Sequence, residues 1–347
     1  MRTVPATLLP EWAPQSGVMI TWPHAGTDWA PMLGEVTDCY LRLAEAIALR
    51  EPLLVVAPQT DAVRALLEEH LPAEAFGRVR FFACPTDDTW SRDHGFLTLG
   101  GRRPALLDFR FNGWGGKFPA ARDNAINARL YASGLLEGDY RDCLDFELEG
   151  GSLETDGRGT LLTTSRCLLN ANRNGGLARP EAERRLSRLL GVDRFLWLTH
   201  GALEGDDTDS HVDTLARLCP DDTILYCTAA PGDSHHDELA AMERELRAFR
   251  TREGRPYRLL PLPLPAPVYD EDGLRLPATY ANYLVMNTAV LVPLYGQPEA
   301  DARALRVVAE AYPGRETTGV DCRALVRQHG SLHCATMQFP AGVFRTL

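Results

Sequence analysis

An α/β fold in one domain is what the sequence predicts, on three observations. Short apolar runs recur along the chain, helical patterns lie between several of them, and no linker interrupts the alternation. The runs are Gly17–Trp22, Pro52–Ala57, Val79–Ala83, Gly159–Thr164, Arg194–Leu198, Thr223–Cys227 and Ala289–Val292. All are of strand length, and most are rich in the β-branched and aromatic residues that suit a pleated surface.

Helices are expected where apolar residues return every three or four positions. Thr37–Arg50 and Thr60–Glu69 each begin at a Thr cap, and Pro119–Ser133 and Pro180–Leu190 place Pro at the first helical position. His236–Thr251 and Glu299–Ala311 follow the same spacing. The segment Pro261–Val268 is too short and apolar for a tether, so residues 1–347 read as one catalytic domain. No Gly-rich strand-to-helix loop is present, which removes the main support for a nucleotide site. No internal repeat is strong enough to read from the residues alone.

The net charge of −11 disfavours nucleic acid and anionic membranes as partners and suits a small cation. No run approaches the roughly 18 apolar residues of a membrane span, and no leader pattern opens the chain, so a cytoplasmic protein is expected. The eight cysteines include no CxxC pair, which argues against a zinc ribbon or a dithiol redox centre. Lys117 is the sole lysine, so Schiff-base chemistry would rest on it alone.

Four segments concentrate reactive residues. Asp87-Asp88-Thr89-Trp90-Ser91-Arg92-Asp93-His94-Gly95 offers carboxylates and an indole face for a planar cation, or a solvated turn with a local Asp–Arg pair. Glu149-Gly150-Gly151-Ser152 lets the backbone approach a ligand, or simply turns the chain. In Asp206-Asp207-Thr208-Asp209-Ser210-His211-Val212-Asp213, a strand over Ser210–Leu218 would put His211 and Asp213 on one face, a proton shuttle beside a carboxylate. In His329-Gly330-Ser331-Leu332-His333-Cys334, the cysteine is a nucleophile or a buried residue of the last strand. Neighbours in a strand point to opposite faces, so the partner expected for Cys334 is His211 and not His333.

Asp209-x-His211-x-Asp213 also matches the ligand pattern of manganese ureohydrolases, which release urea from guanidines. The further acidic and histidine motifs of those enzymes are missing, so no metal is expected.

Taken together, the segments resemble the agmatine deiminase and bacterial (Porphyromonas-type) peptidyl-arginine deiminase family. The resemblance runs through Glu11-Trp12-Ala13-Pro14, Thr21-Trp22-Pro23-His24, Trp90-x-Arg92-Asp93-x-Gly95 and Glu149-Gly150-Gly151-Ser152. It continues through Cys167-Leu168-Leu169-Asn170, Asn172-Arg173-Asn174, His211-Val212-Asp213, Arg275-Leu276-Pro277-Ala278-Thr279-Tyr280-x-Asn282 and His333-Cys334-x-Thr336-x-Gln338. It implies a five-bladed α/β propeller of the pentein type, built from ββαβ units around a pseudo-fivefold axis, and a homodimer.

The function implied is hydrolysis of agmatine to N-carbamoylputrescine and ammonia, with no metal or organic cofactor; arginine and peptidyl-arginine are the alternative substrates. Asp93 and Asp213 are expected to grip the guanidinium, Cys334 to attack it and His211 to move the protons. Glu149 would orient His211, and Asn282 would line the thiolate side. Asp88, Asp207 and Trp90 would hold the substrate's tail. An acidic tail site favours agmatine over arginine, whose carboxylate it would repel. Familiar agmatine deiminases usually have other residues at His329-Gly330-Ser331-Leu332, His94 and Phe96.

Overall fold

All seven expected strands form, over Gln15–Thr21, Leu53–Ala57, Val79–Ala83, Thr160–Thr164, Arg194–Leu198, Thr223–Thr228 and Ala289–Leu294. The computed structural model describes residues 6–345, so both ends of the expected 1–347 domain lie outside the described residues. Several of these strands are covered on both faces, and Leu53–Ala57 and Thr160–Thr164 are buried throughout. Two-sided burial is why they read as continuous apolar runs rather than alternating ones.

The strands make five separate sheets with one recurring plan. A short strand pairs antiparallel with a longer one, which pairs in parallel with a third. The second sheet, for example, orders Leu97–Leu99, Ala105–Arg110 and Asp139–Glu147. The third has Leu153–Thr155 beside Thr160–Thr164 and Arg194–Leu198, and the fourth Ala216–Cys219 beside Thr223–Thr228 and Arg258–Pro263. The fifth has Leu284–Val285, Ala289–Leu294 and Glu316–Asp321. The first joins the two ends of the chain: Thr336–Pro340 pairs antiparallel with Gln15–Thr21, followed by Leu53–Ala57 and Val79–Ala83 in parallel.

Helices make the parallel crossovers, as geometry requires. The helix Leu33–Ala48 carries Val36, Cys39, Tyr40, Leu43, Ala44, Ile47 and Ala48 on its buried stripe. Fully burying apolar side chains of the larger kinds stabilises by about 1.5–3 kcal/mol each. Equivalent crossovers are Arg179–Leu190, His236–Ala248 and Pro298–Ala311.

Three local expectations are corrected. Pro119–Ser133 is not one helix: a 3-10 turn at Asp123–Ala125 leads into a short helix at Ile126–Ala132. Ser210–Leu218 is not one strand, because Val212–Thr214 is a 3-10 turn and the strand begins only at Ala216. The last strand begins at Thr336, leaving Cys334 in the turn before it.

Candidate active site

The turns just before the short antiparallel strands carry the candidate residues. Asp93 lies in the turn Ser91–His94, ahead of Leu97–Leu99, and Glu149 precedes the turn Gly150–Ser152. His211 and Asp213 belong to the turn ahead of Ala216–Cys219, Asn282 precedes Leu284–Val285, and Cys334 precedes Thr336–Pro340. The five sheets thus each contribute from the same place in their plan.

Their geometry centres on Gly151. A methyl group there would lie 2.7 Å from His211 Nδ1, 2.9 Å from Asp93 Oδ1 and 3.0 Å from Asp213 Oδ2. Three ionisable groups therefore converge on one small volume, and only a residue without a side chain leaves it open. His211 Nδ1 and Asp213 Oδ1 are buried there without hydrogen-bond partners, which is costly unless a ligand meets them.

Each group is held from behind. Asp93 accepts hydrogen bonds from Trp114 Nε1 and the Gly151 N–H, both at 2.9 Å. Trp114 adopts φ 55°, a left-handed conformation unusual for a bulky residue and characteristic of over-determined functional loops. His211 Nε2 faces Glu149 Oε2 at 3.1 Å, and Arg173 Nε holds the same carboxylate at 2.7 Å. Asn282 donates from Nδ2 to Asp213 at 3.2 Å, while its Oδ1 accepts the backbone N–H groups of His333 and Cys334 at 3.0 and 3.2 Å. One amide thereby fixes a carboxylate and the cysteine turn together.

The charges are uneven. Burial pushes the Asp93 carboxyl above the ordinary range, and its neighbours Asp213 and Glu149 add to that against the opposing pull of His211. Burial acts on Asp213 in the same direction, but the hydrogen bond and charge of His333 outweigh it and hold this carboxyl below the usual value. Burial works against the His211 cation, yet Asp93, Cys167 and Glu149 more than reverse it, so the imidazole keeps its proton well above the ordinary range. The Cys334 thiol is pushed far up by burial and by the negative fields of Asp213 and Asp93.

A narrow cleft opens onto Asp93 and Cys334. Asp28, Asp88 and Asp207 add carboxylates to its wall, and Trp90, Trp114 and Phe118 add aromatic faces. Trp90 packs under Gly330, where a methyl group would stand 2.3 Å from the indole ring. Burial pushes both Asp88 and Asp207 up to about 6. Such a wall suits a long cation with an apolar middle.

The structure brings all nine expected residues around this cleft. Glu149 stands behind His211, Asn282 behind Asp213, and the others line the open space or border Gly151. Arg92 behaves otherwise than a local Asp–Arg pair would: it faces Glu11 Oε1 at 3.3 Å and Gln338. Asp206 and Asp209 are also spent elsewhere, the first on the N–H groups of Thr208 and Ser210, the second on Arg173 and Lys117.

Asp209, His211 and Asp213 do not share one centre. Among the described residues, the trio with ligand atoms close enough for a metal is Glu149, Cys167 and His211, and Arg173 already occupies Glu149.

Sequence reasoning missed Glu11, Arg173, His333 and Trp114. Glu11, Arg173 and His333 sat inside motifs that had been noted without a role. Trp114 carried one signal, its place in Asn112-Gly113-Trp114-Gly115-Gly116, a glycine-flanked turn that leaves an aromatic ring little freedom.

The buried Cys334, the nearby His211 and the paired carboxylates beside an acidic cleft are the groups that a cysteine hydrolase of a cationic substrate would need. The chain belongs to the Porphyromonas-type peptidyl-arginine deiminase family, whose model matches residues 7–340. It is 33% identical to an agmatine deiminase of Stutzerimonas stutzeri, over 96% of this chain and 95% of that one. Its fold is similar to that of C. jejuni agmatine deiminase with substrate bound, with a TM-score of 0.89, 36% identity and 98% of each chain covered. It is likewise similar to a Porphyromonas gingivalis structure provisionally assigned as an arginine deiminase, with a TM-score of 0.92, 52% identity, and 98% of this chain and 100% of that one covered. No helix among the described residues is long and apolar enough to cross a membrane.

Proposed function

We propose that this protein is an agmatine deiminase, hydrolysing agmatine to N-carbamoylputrescine and ammonia. The observation that carries the reading is the convergence of Asp93, Asp213 and His211 on Gly151, with Asp93 also lining a cleft beside Cys334. The five sheets are read as five blades around a pseudo-fivefold axis, which would place these turns at the central channel of one domain.

A guanidinium carbon is a poor electrophile, because its charge is spread over three nitrogens, and ammonia leaves only when protonated. Asp93 and Asp213 bind the cation and localise its charge. Its arrival offsets the negative field that holds Cys334 as a thiol, and the thiol proton passes to solvent. The thiolate adds to the central carbon, forming the C–S bond. His211 gives its proton to one terminal nitrogen, ammonia leaves, and an amidino-thioether on Cys334 remains. Neutral His211 then takes a proton from water as the oxygen adds to the same carbon. The C–S bond breaks, releasing N-carbamoylputrescine and restoring Cys334.

Glu149 supports the imidazolium through both steps. Asn282 holds the turn that aims the thiol. At the far end, Asp207 and Asp88 receive the terminal amine while Trp90 flanks the methylenes. Arginine would bring a carboxylate against the same acidic wall, which is why agmatine is preferred here over the arginine suggested by the P. gingivalis relative's description.

The test is direct. Ammonia and N-carbamoylputrescine are measured from agmatine with and without a chelator, beside arginine and peptidyl-arginine. Ammonia release that survives chelation and vanishes in Cys334→Ala is expected; urea release dependent on manganese would overturn the reading. A preference for arginine would overturn the substrate alone.

A further inference from the structure

Asp93 and Asp213 border the same point beside Gly151, yet they are held by different chemistry. Asp93 takes its hydrogen bonds from two neutral donors, an indole and a backbone amide, with His211 Nδ1 3.6 Å from its Oδ1. Asp213 Oδ2 faces His333 Nδ1 at 2.7 Å, and the opposite ring nitrogen, Nε2, faces Glu11 Oε1 at 2.6 Å. A ring with a carboxylate on each nitrogen meets both as a double donor, and Arg217 Nη2 also faces Nε2, at 3.1 Å. Glu11 itself is fastened by Arg217 Nη2 at 2.6 Å, Arg92 Nη1 at 3.3 Å and Gln338 Nε2 at 3.1 Å. The His333 ring is completely buried, so the arrangement has no water to fall back on.

We propose that Glu11, acting through His333, is a positioning residue that keeps Asp213 ionised and aimed at the cleft. The inference rests on the proposed guanidine hydrolysis. It assigns the part of a fixed anion to Asp213 and leaves Asp93 as the carboxyl that can carry a proton. The groups facing Asp213 are His333 and Cys334 from the turn before the last strand, Asn282, His211 from its own turn, Asp93 from the Ser91–His94 turn, and Arg217 beyond. Among these, His333 alone hydrogen-bonds Asp213 through one ring nitrogen while the other faces a second carboxylate.

Glu11 anchors the His333 ring, the hydrogen bond from the ring favours ionised Asp213, and ionised Asp213 is what a guanidinium needs. With Glu11 made neutral, His333 Nε2 loses its carboxylate partner, and the ring holds Asp213 less firmly. Asp213 then titrates at higher pH.

The experiment measures ammonia release from agmatine across pH for the wild type, Glu11→Gln, Glu11→Asp and His333→Gln, with thermal melts of each. In Glu11→Gln the acid limb of kcat/KM moves up by about one pH unit and KM rises about tenfold, with a smaller change in kcat. Glu11→Asp restores most of both. A uniform loss of activity with the limb unmoved would overturn the proposal, since that is what a merely structural role produces. If Glu11→Gln melts far below the wild type, His333→Gln carries the same test.

A wild type inert towards agmatine would count against the proposed function instead. The inference is then decided without turnover, from the imidazole ¹⁵N spectrum, with the His333 signal identified by its loss in His333→Gln. Two protonated ring nitrogens in the wild type and one in Glu11→Gln support it; an unchanged ring overturns it.

Discussion

Glu149 Oε2 lies 3.1 Å from His211 Nε2, and neither side chain is more than 2% exposed. Arg173 completes the arrangement by neutralising the carboxylate from its far side. The result is an imidazolium held where burial alone would have stripped its proton.

That relationship predicts the alkaline side of the pH profile. A group whose folded-state pKa is raised keeps its proton until pH passes the folded value. Replacing Glu149 by Gln removes one of the anions responsible, so His211 loses its proton earlier. The alkaline limb of kcat should move down by at least about one pH unit. The stability contributed by protonated His211 has the same sign: complete below about 6.5, the unfolded value, and lost as pH rises through the folded one. Arg173→Gln should cost about 3–5 kcal/mol in denaturant melts, the usual result of breaking a buried pair. An unmoved alkaline limb in Glu149→Gln would show that His211 draws its charge from elsewhere.

Gly151 predicts a loss of activity out of proportion to any loss of stability. In Gly151→Ala the methyl group would press on His211, Asp93 and Asp213 simultaneously. Overpacking of this kind costs about 1–3 kcal/mol, within reach of a folded variant. Displacement of reacting groups by about 1 Å costs on the order of a hundredfold in rate. Turnover and melting curves for this one variant check both. Wild-type kcat/KM in Gly151→Ala would remove Gly151 from the centre of the site.

The difference between what the residues disclosed and what they hid is physical. The parallel strands were legible because burial on both faces forces unbroken apolar runs, as in Leu53–Ala57. The short antiparallel strands were not: Leu284–Val285 has too few residues to carry a period. Nor was Asp139–Glu147, whose exposed edge alternates with little apolar content. The repetition of five sheets lives in topology and leaves no repeated residues to find. The alternation of side chains suggests His211 and Asp213 on one face of a strand, but no strand runs there. They approach one another through a turn entered by two left-handed residues, Asp209 and Ser210, and not along a strand. Glu11 was illegible as a functional residue because its partners, His333, Arg217 and Gln338, lie more than two hundred positions away.

The tail end of the cleft predicts a pH dependence of its own. Burial pushes Asp88 and Asp207 up to about 6, so the wall gains negative charge as pH rises through that value. KM for agmatine should fall between pH 5 and pH 7, by roughly three- to tenfold if one charge–amine contact is gained. For propylguanidine, which lacks the terminal amine, KM should change much less over the same interval. Asp207→Asn should flatten the agmatine curve and leave propylguanidine unaffected. Parallel curves for the two substrates in the wild type would move the amine away from Asp88 and Asp207.

Cys334 predicts an inverted reactivity toward alkylating agents. Burial and the fields of Asp213 and Asp93 keep it a thiol in the free protein, so a neutral reagent meets a weak nucleophile. Its reaction with iodoacetamide should still be accelerating beyond pH of about 8.5, where an ordinary thiol levels off. A reagent that carries its own cation changes the situation. 2-Chloroacetamidine places an amidinium between the two carboxylates, offsets their field and favours the thiolate at the moment of attack. Although chloride leaves less readily than iodide, it should modify Cys334 at least about tenfold faster at pH 7.5, a gain of roughly 1.4 kcal/mol. Asp213→Asn should remove most of that preference by deleting the anion that holds the reagent. Peptide mapping by mass spectrometry separates Cys334 from the other seven cysteines, all of them buried. Equal rates for the two reagents, or a preference that survives Asp213→Asn, would mean that the carboxylates do not govern the thiol.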